Sequence, residues 1–171
     1  MTKYEEHILT NYRILAVAPH HHEEFACVIY TPQEKFYSTY TVKKIVERYC
    51  LLNGASLAGR MEFARKIFKD VKNPSVLVSG RELIAGFQVP STNKLDKIWI
   101  FDVNHVKIEP TAKGESVIIL SNQEKIVCPL ASNLVEKRKE KALSLIYQNA
   151  FNYLQPKIHF NLANDFRNPY R

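Results

Sequence analysis

Residues 41–60 read TVKKIVERYCLLNGASLAGR, and here the periodicity of the chain changes. Val42, Ile45, Val46, Tyr49 and Leu52 fall at i, i+3, i+4, i+7 and i+10, one face of a helix that Thr41 can cap. Lys43, Lys44, Glu47 and Arg48 lie on its outer face. Asn53-Gly54 ends the helix, because glycine tolerates the left-handed conformation that closes one. Ser56 can then cap a second helix running to about Asp70. Its spacing sets Leu57, Met61, Ala64 and Phe68 inward and Arg60, Arg65, Lys66 and Lys69 outward. Asn73-Pro74 stops it.

Strand patterns lie on both sides of this basic helical pair. Upstream, Tyr12 to Ala18 and Phe25 to Tyr30 are β-branched and aromatic runs, and Phe36 to Tyr40 adds a third. Downstream come Val76 to Val78, Leu83 to Val89, Lys97 to Phe101, His105 to Ile108, Ser116 to Leu120 and Glu124 to Cys128, separated by turn residues. After Pro129 a long helix is expected from Ser132 or Asn133 to Gln155, charged in its first half. Its second half carries Leu145, Ile146, Tyr153 and Leu154, either covering the open face of the sheet or forming an interface between copies. The expected fold class is α+β: an antiparallel β-meander, a central basic helical pair and a long C-terminal helix. Residues 1–155 form one domain and residues 156–171 a tail.

The chain's 171 residues carry 24 Lys and Arg against 17 Asp and Glu. That excess is uneven. Residues 41–73 hold eight cations against three carboxylates and residues 111–171 nine against five, while residues 1–40 are net negative. Clustered cations favour a polyanionic partner through counterion release from phosphates. Apolar residues make up 46%, too many for a disordered chain, yet no apolar run is long enough to span a membrane. Cys27, Cys50 and Cys128 form no CxxC pair, so they read as reduced thiols in a cytoplasmic protein.

Two catalytic patterns fail on inspection. Gly54 to Gly59 has phosphate-loop spacing, but Arg60 and Met61 replace the lysine and the Ser/Thr, and a helix precedes it instead of a strand. As a nucleophile elbow it lacks the leading strand and has Ala58 where glycine belongs. His20, His21 and His22 are consecutive and cannot all converge on one ion, so no metal or other cofactor is expected. Trp99, between Ile98 and Ile100, reads as core. An enzyme is not expected.

The order Gly54-x-Ser56-x-x-Gly59-Arg60, Pro74-x-Val76, Phe87-x-x-Pro90-Ser91 and Trp99-Ile100 resembles the ComK family of competence transcription factors. Ser121-Asn122, Pro129-Leu130 and Ser132 continue it, so the resemblance covers residues 36–150, with no match assigned to the first forty. It implies a DNA-binding activator of DNA-uptake genes that acts on A/T-rich boxes of double-stranded DNA, approached through the minor groove. A homodimer or higher oligomer, associated with the nucleoid, is implied too. The C-terminal segment that a protease adaptor recognises in the family's best-known member has no counterpart here, so that partner is not carried over.

The charge map meets this resemblance at Arg60, Arg65, Lys66, Lys69, Lys43, Lys44 and Arg48, since a narrow A/T minor groove attracts cations, arginine above all. Arg60, within the matched motif, is the first candidate contact; the alternative is an arginine that caps carbonyls or pairs a carboxylate. Three rival readings stay open: a major-groove helix-turn-helix with Gly54 in its turn, a protein-interaction or adaptor module, and a divergent paralogue with little DNA binding.

Overall fold

The computed structural model of the chain describes residues 1–69, 72–93 and 96–154, with side chains through Phe151. It begins with a helix absent from the sequence reading, α1 (Lys3–Asn11). Only Ile8 and Leu9 supply its buried apolar contacts, too few to establish a period. Glu5 holds it in place. This carboxylate is buried, accepts the backbone N–H of Thr2 at 3.2 Å and takes the Ser38 hydroxyl at 2.9 Å.

Strands β1 (Ala16–Pro19), β2 (Cys27–Tyr30) and β3 (Lys35–Ser38) follow, then helices α2 (Val42–Leu52) and α3 (Leu57–Phe68). Strands β4 (Val76–Ser79), β5 (Ile84–Pro90), β6 (Lys97–Ile100), β7 (Lys107–Pro110), β8 (Ser116–Ile119) and β9 (Lys125–Cys128) lead into α4 (Ser132–Leu154). The antiparallel strands split into two sheets. Six form one in the order β3-β2-β1-β6-β5-β4, and β7-β8-β9 form the other. The seam of the larger sheet joins β1 to β6, with Val17 opposite Trp99 and Ala16 opposite Ile100.

Both faces of the larger sheet are covered, which explains why its strands read as apolar runs without strict alternation. On one face Val17, Ile29, Trp99 and Phe101 pack with Ile8, Ile45, Val46 and Leu57 from α1–α3. On the other, Phe87, Val89 and Ile100 meet Ile118 and Ile126 of the small sheet and Val135, Ala142 and Ile146 of α4. The basic helical pair therefore belongs to an outer layer, with the sheet beneath it.

Leu52, Cys50 and Arg60 depart from the helical wheel. Leu52 is exposed at the end of α2 while Cys50 is fully buried, because α3 folds back over the cysteine's side of the helix. Phe63 is exposed on α3. Arg60, expected outward, turns inward, for reasons given below. Leu145 and Ile146 are buried in the chain's own core, which excludes them as an interface. Tyr147 and Phe151 are the exposed apolar residues on that helix's second half; the side chains of Tyr153 and Leu154 and the expected tail, residues 156–171, lie outside the described residues.

Candidate nucleic-acid interface

The corner between α2 and α3 is built by the motif residues themselves. Gly54 has φ +92°, a backbone conformation L side chains rarely adopt, and its N–H closes onto the Leu51 carbonyl. Two residues on, the Ser56 hydroxyl accepts the N–H of Gly59 at 3.1 Å, the capping bond of α3. Glu47 caps the same helix from α2 by accepting the N–H of Leu57 at 3.2 Å. The serine is thus spent on a helix start, and the glycines serve a helical hairpin rather than a phosphate cradle.

Arg60 completes the corner. Its guanidinium donates to the carbonyl oxygens of Asn53 at 2.6 Å, of Cys50 at 3.4 Å and of Leu77 on β4. The first two lie at the C-terminal end of α2, where the Cys50 carbonyl also accepts the N–H groups of Asn53 and Ala55. Cationic hydrogen bonds there satisfy the carbonyls and the negative end of the helix dipole together. Burial lowers the pKa of this guanidinium from its ordinary value, and its Nε is buried without a partner. Of the alternatives open at this residue, the structure shows the carbonyl cap.

The remaining six candidates occupy the outer surface in different states. Lys43, Arg65 and Lys69 are exposed and make no hydrogen bond or ion pair among the described residues. Lys44 sits over the Tyr40 ring, 4.4 Å from its centroid. Lys66 pairs with Glu62 at 3.0 Å on the same helix, a solvated contact of little strength. Arg48 is tied to α1 through Glu6 at 2.5 Å. Lys69 is also the helix C-cap, held at φ 51°. Between these cations lie two exposed apolar side chains, Leu51 on α2 and Phe63 on α3.

The other motif residues are structural. Trp99 is buried against Phe101, and Pro90 ends β5 opposite Lys97. The histidine loop is an aromatic stack: His20 and His22 lie 5.8 Å apart between Tyr37 and Phe25. No group of three or more His, Cys, Asp or Glu among the described residues could hold a metal.

With this geometry in place, one comparison decides the family. The family model described as ComK protein matches residues 4–151. The chain belongs to the ComK family. This is a family of competence transcription factors, not of enzymes. The match reaches back to residue 4, so residues 4–40, left outside the resemblance, belong to the ComK region and include all but the first residue of α1. No curated protein and no solved structure gives a match to the chain. No helix among the described residues is long and apolar enough to cross a membrane.

Sequence reasoning missed two residues at the surface. Phe63 falls outside the apolar stripe of Leu57, Met61, Ala64 and Phe68, so periodicity gives it no role. Lys97 begins β6 and read only as a strand end, yet it lines a cleft beside Lys43.

Proposed function

We propose that this ComK chain binds duplex DNA through the outer faces of α2 and α3, with a preference for A/T-rich boxes and contact through the minor groove. The carrying observation is a row of exposed cations, Lys43, Lys44, Arg65, Lys66 and Lys69, on a helical layer whose outer side no described element covers. Arg65, exposed and without an ion pair among the described residues, takes the groove-entering role first assigned to Arg60. Phe63, exposed one turn before Lys66, is the kind of apolar wedge that minor-groove proteins insert between base steps. Arg60 acts indirectly, by fixing the angle at which the two helices present their cations.

Minor-groove contacts by one small domain are weak, and paired boxes would make the second contact intramolecular. A symmetric dimer fits this, with Tyr147 and Phe151 of α4 as its apolar contact. The activity read is activation of DNA-uptake genes in the cytoplasm, at the nucleoid.

Binding to A/T-rich and G/C-rich duplexes, followed across a salt series, tests the reading. The A/T-rich duplex should bind tighter, log K should fall linearly with log salt, and a minor-groove ligand should compete. Phe63→Ala should reduce DNA bending as well as affinity. Equal affinity for both duplexes would overturn the A/T preference. Leu51 and Phe63 also support a second reading, an adaptor surface for a protein partner; salt-insensitive, weak DNA binding would favour it.

A further inference from the structure

Gln88 on β5 and Trp99 on β6 are direct cross-strand partners, so their side chains leave the same face of the sheet side by side. Both are more than nine-tenths buried. Neither uses all of its hydrogen-bonding groups within the protein. Among the described residues the Trp99 indole N–H makes no hydrogen bond, and the Gln88 side-chain oxygen accepts none. The Gln88 amide nitrogen reaches only the Pro74 carbonyl, at 3.5 Å. Neither atom is among those shut off from solvent without a partner, so both open onto the cleft that these residues line, where a solute can meet them. Position 88 also interrupts an apolar run, Ala85 to Val89, where a leucine or valine would suit the fold better.

These two residues floor a cleft of about 340 Å³ beneath the helical pair. Leu57 of α3 is one apolar wall and Met61 the next turn of it; Lys43 and Lys97 stand at the mouth, with Asp96 between strand and loop. The volume lies at the lower end of the range for small-molecule sites, and apolar walls around a few convergent polar groups are their usual lining.

We propose that this cleft binds a small planar heterocycle bearing an anionic group, with the chemistry of a nucleoside monophosphate. A flat ring fits between Leu57 and Met61 with its edge on the floor. There the indole N–H donates to a ring acceptor, and the Gln88 amide pairs an adjacent donor and acceptor. Asp96 is placed to accept from a sugar hydroxyl, and the two lysines meet the phosphate. The site is separate from the proposed DNA surface except at Lys43.

Trp99 is the chain's single tryptophan, so its fluorescence reports on the cleft directly. The full chain is titrated with AMP, GMP, adenosine and inorganic phosphate, with calorimetry in parallel. The expected result is a saturable change in emission with at least one nucleotide, and weaker binding of adenosine and of phosphate alone. Gln88→Leu should weaken that nucleotide by roughly tenfold while circular dichroism and DNA affinity stay unchanged. Met61→Tyr, which places bulk in the wall and leaves the floor intact, should abolish calorimetric binding. No saturable change with either nucleotide overturns the proposal. So does binding that Gln88→Leu leaves unaltered, since the lysines alone would then explain it. DNA affinity, measured on the same variants, fails or holds independently of either result.

Discussion

The Nη2 of Arg60 stands 2.6 Å from the carbonyl oxygen of Asn53, across the turn that Gly54 makes possible. A guanidinium fork is required there, because it serves carbonyls of α2 and of β4 at once. Arg60→Ala is expected to lower stability by about 2–4 kcal/mol, by orphaning those acceptors. Arg60→Lys should recover only a small part. Urea unfolding followed by circular dichroism checks this: the midpoint falls, and the slope stays the same. A variant as stable as the parent that binds DNA weakly would restore Arg60 as a direct contact.

Lys69 gives the opposite pattern. Its backbone is left-handed at φ 51°, an unfavourable conformation for a residue with a Cβ. Lys69→Gly relieves that while removing an exposed charge, so stability should rise by up to about 1 kcal/mol while DNA affinity falls. Arg65→Ala should stay within about 0.5 kcal/mol of the parent. Each substitution is expected to reduce the slope of log K against log salt by about 0.9, as the loss of one phosphate contact does. Unchanged slopes would remove these side chains from the interface.

Glu5 links folding to pH. Burial opposes its charge, but hydrogen bonds from Thr2, Ser38 and the backbone outweigh burial and hold its pKa below the ordinary carboxylate value of 4.5. A carboxylate depressed in the folded state contributes stability above its unfolded pKa and loses it as pH falls through the folded one. The stability difference between the parent and Glu5→Gln should therefore be full near neutrality, shrink below about pH 4.5 and level off in stronger acid. Thermal unfolding at several pH values measures it. A difference that stays constant down to strong acid would contradict the assignment.

The three thiols should be inert in the folded protein. Burial pushes Cys27 up to about 12, assisted by Glu5, and raises Cys50 and Cys128 to about 11. The thiolate is the reactive form, so none should react with a disulfide reagent at mildly alkaline pH until the chain opens. Labelling rates measured along a urea series should track unfolding; rapid labelling of one cysteine in native buffer would show that its site opens locally.

Apolar periodicity with capping chemistry determined much of this protein from sequence alone. Thr41 and Ser56 mark the starts of α2 and α3, and Pro129 precedes α4, because a cap and a breaker act within one or two residues of their own position. The strands were legible to within a few residues, and the motif order gave the family. What tertiary structure alone decided was everything set by a neighbour distant in sequence. Helix α1 forms against α2 and the β3 end through Glu6–Arg48 and Glu5–Ser38, pairs that no local pattern encodes. The larger sheet is joined at the β1–β6 seam, a pairing between residues more than eighty apart, and β7–β9 form a sheet of their own. Arg60 lies on a wheel position that solvent would own in an isolated helix. It turns inward because β4 and the end of α2 both present carbonyl oxygens there, and hydrogen bonds to several acceptors at once outweigh hydrating one cation.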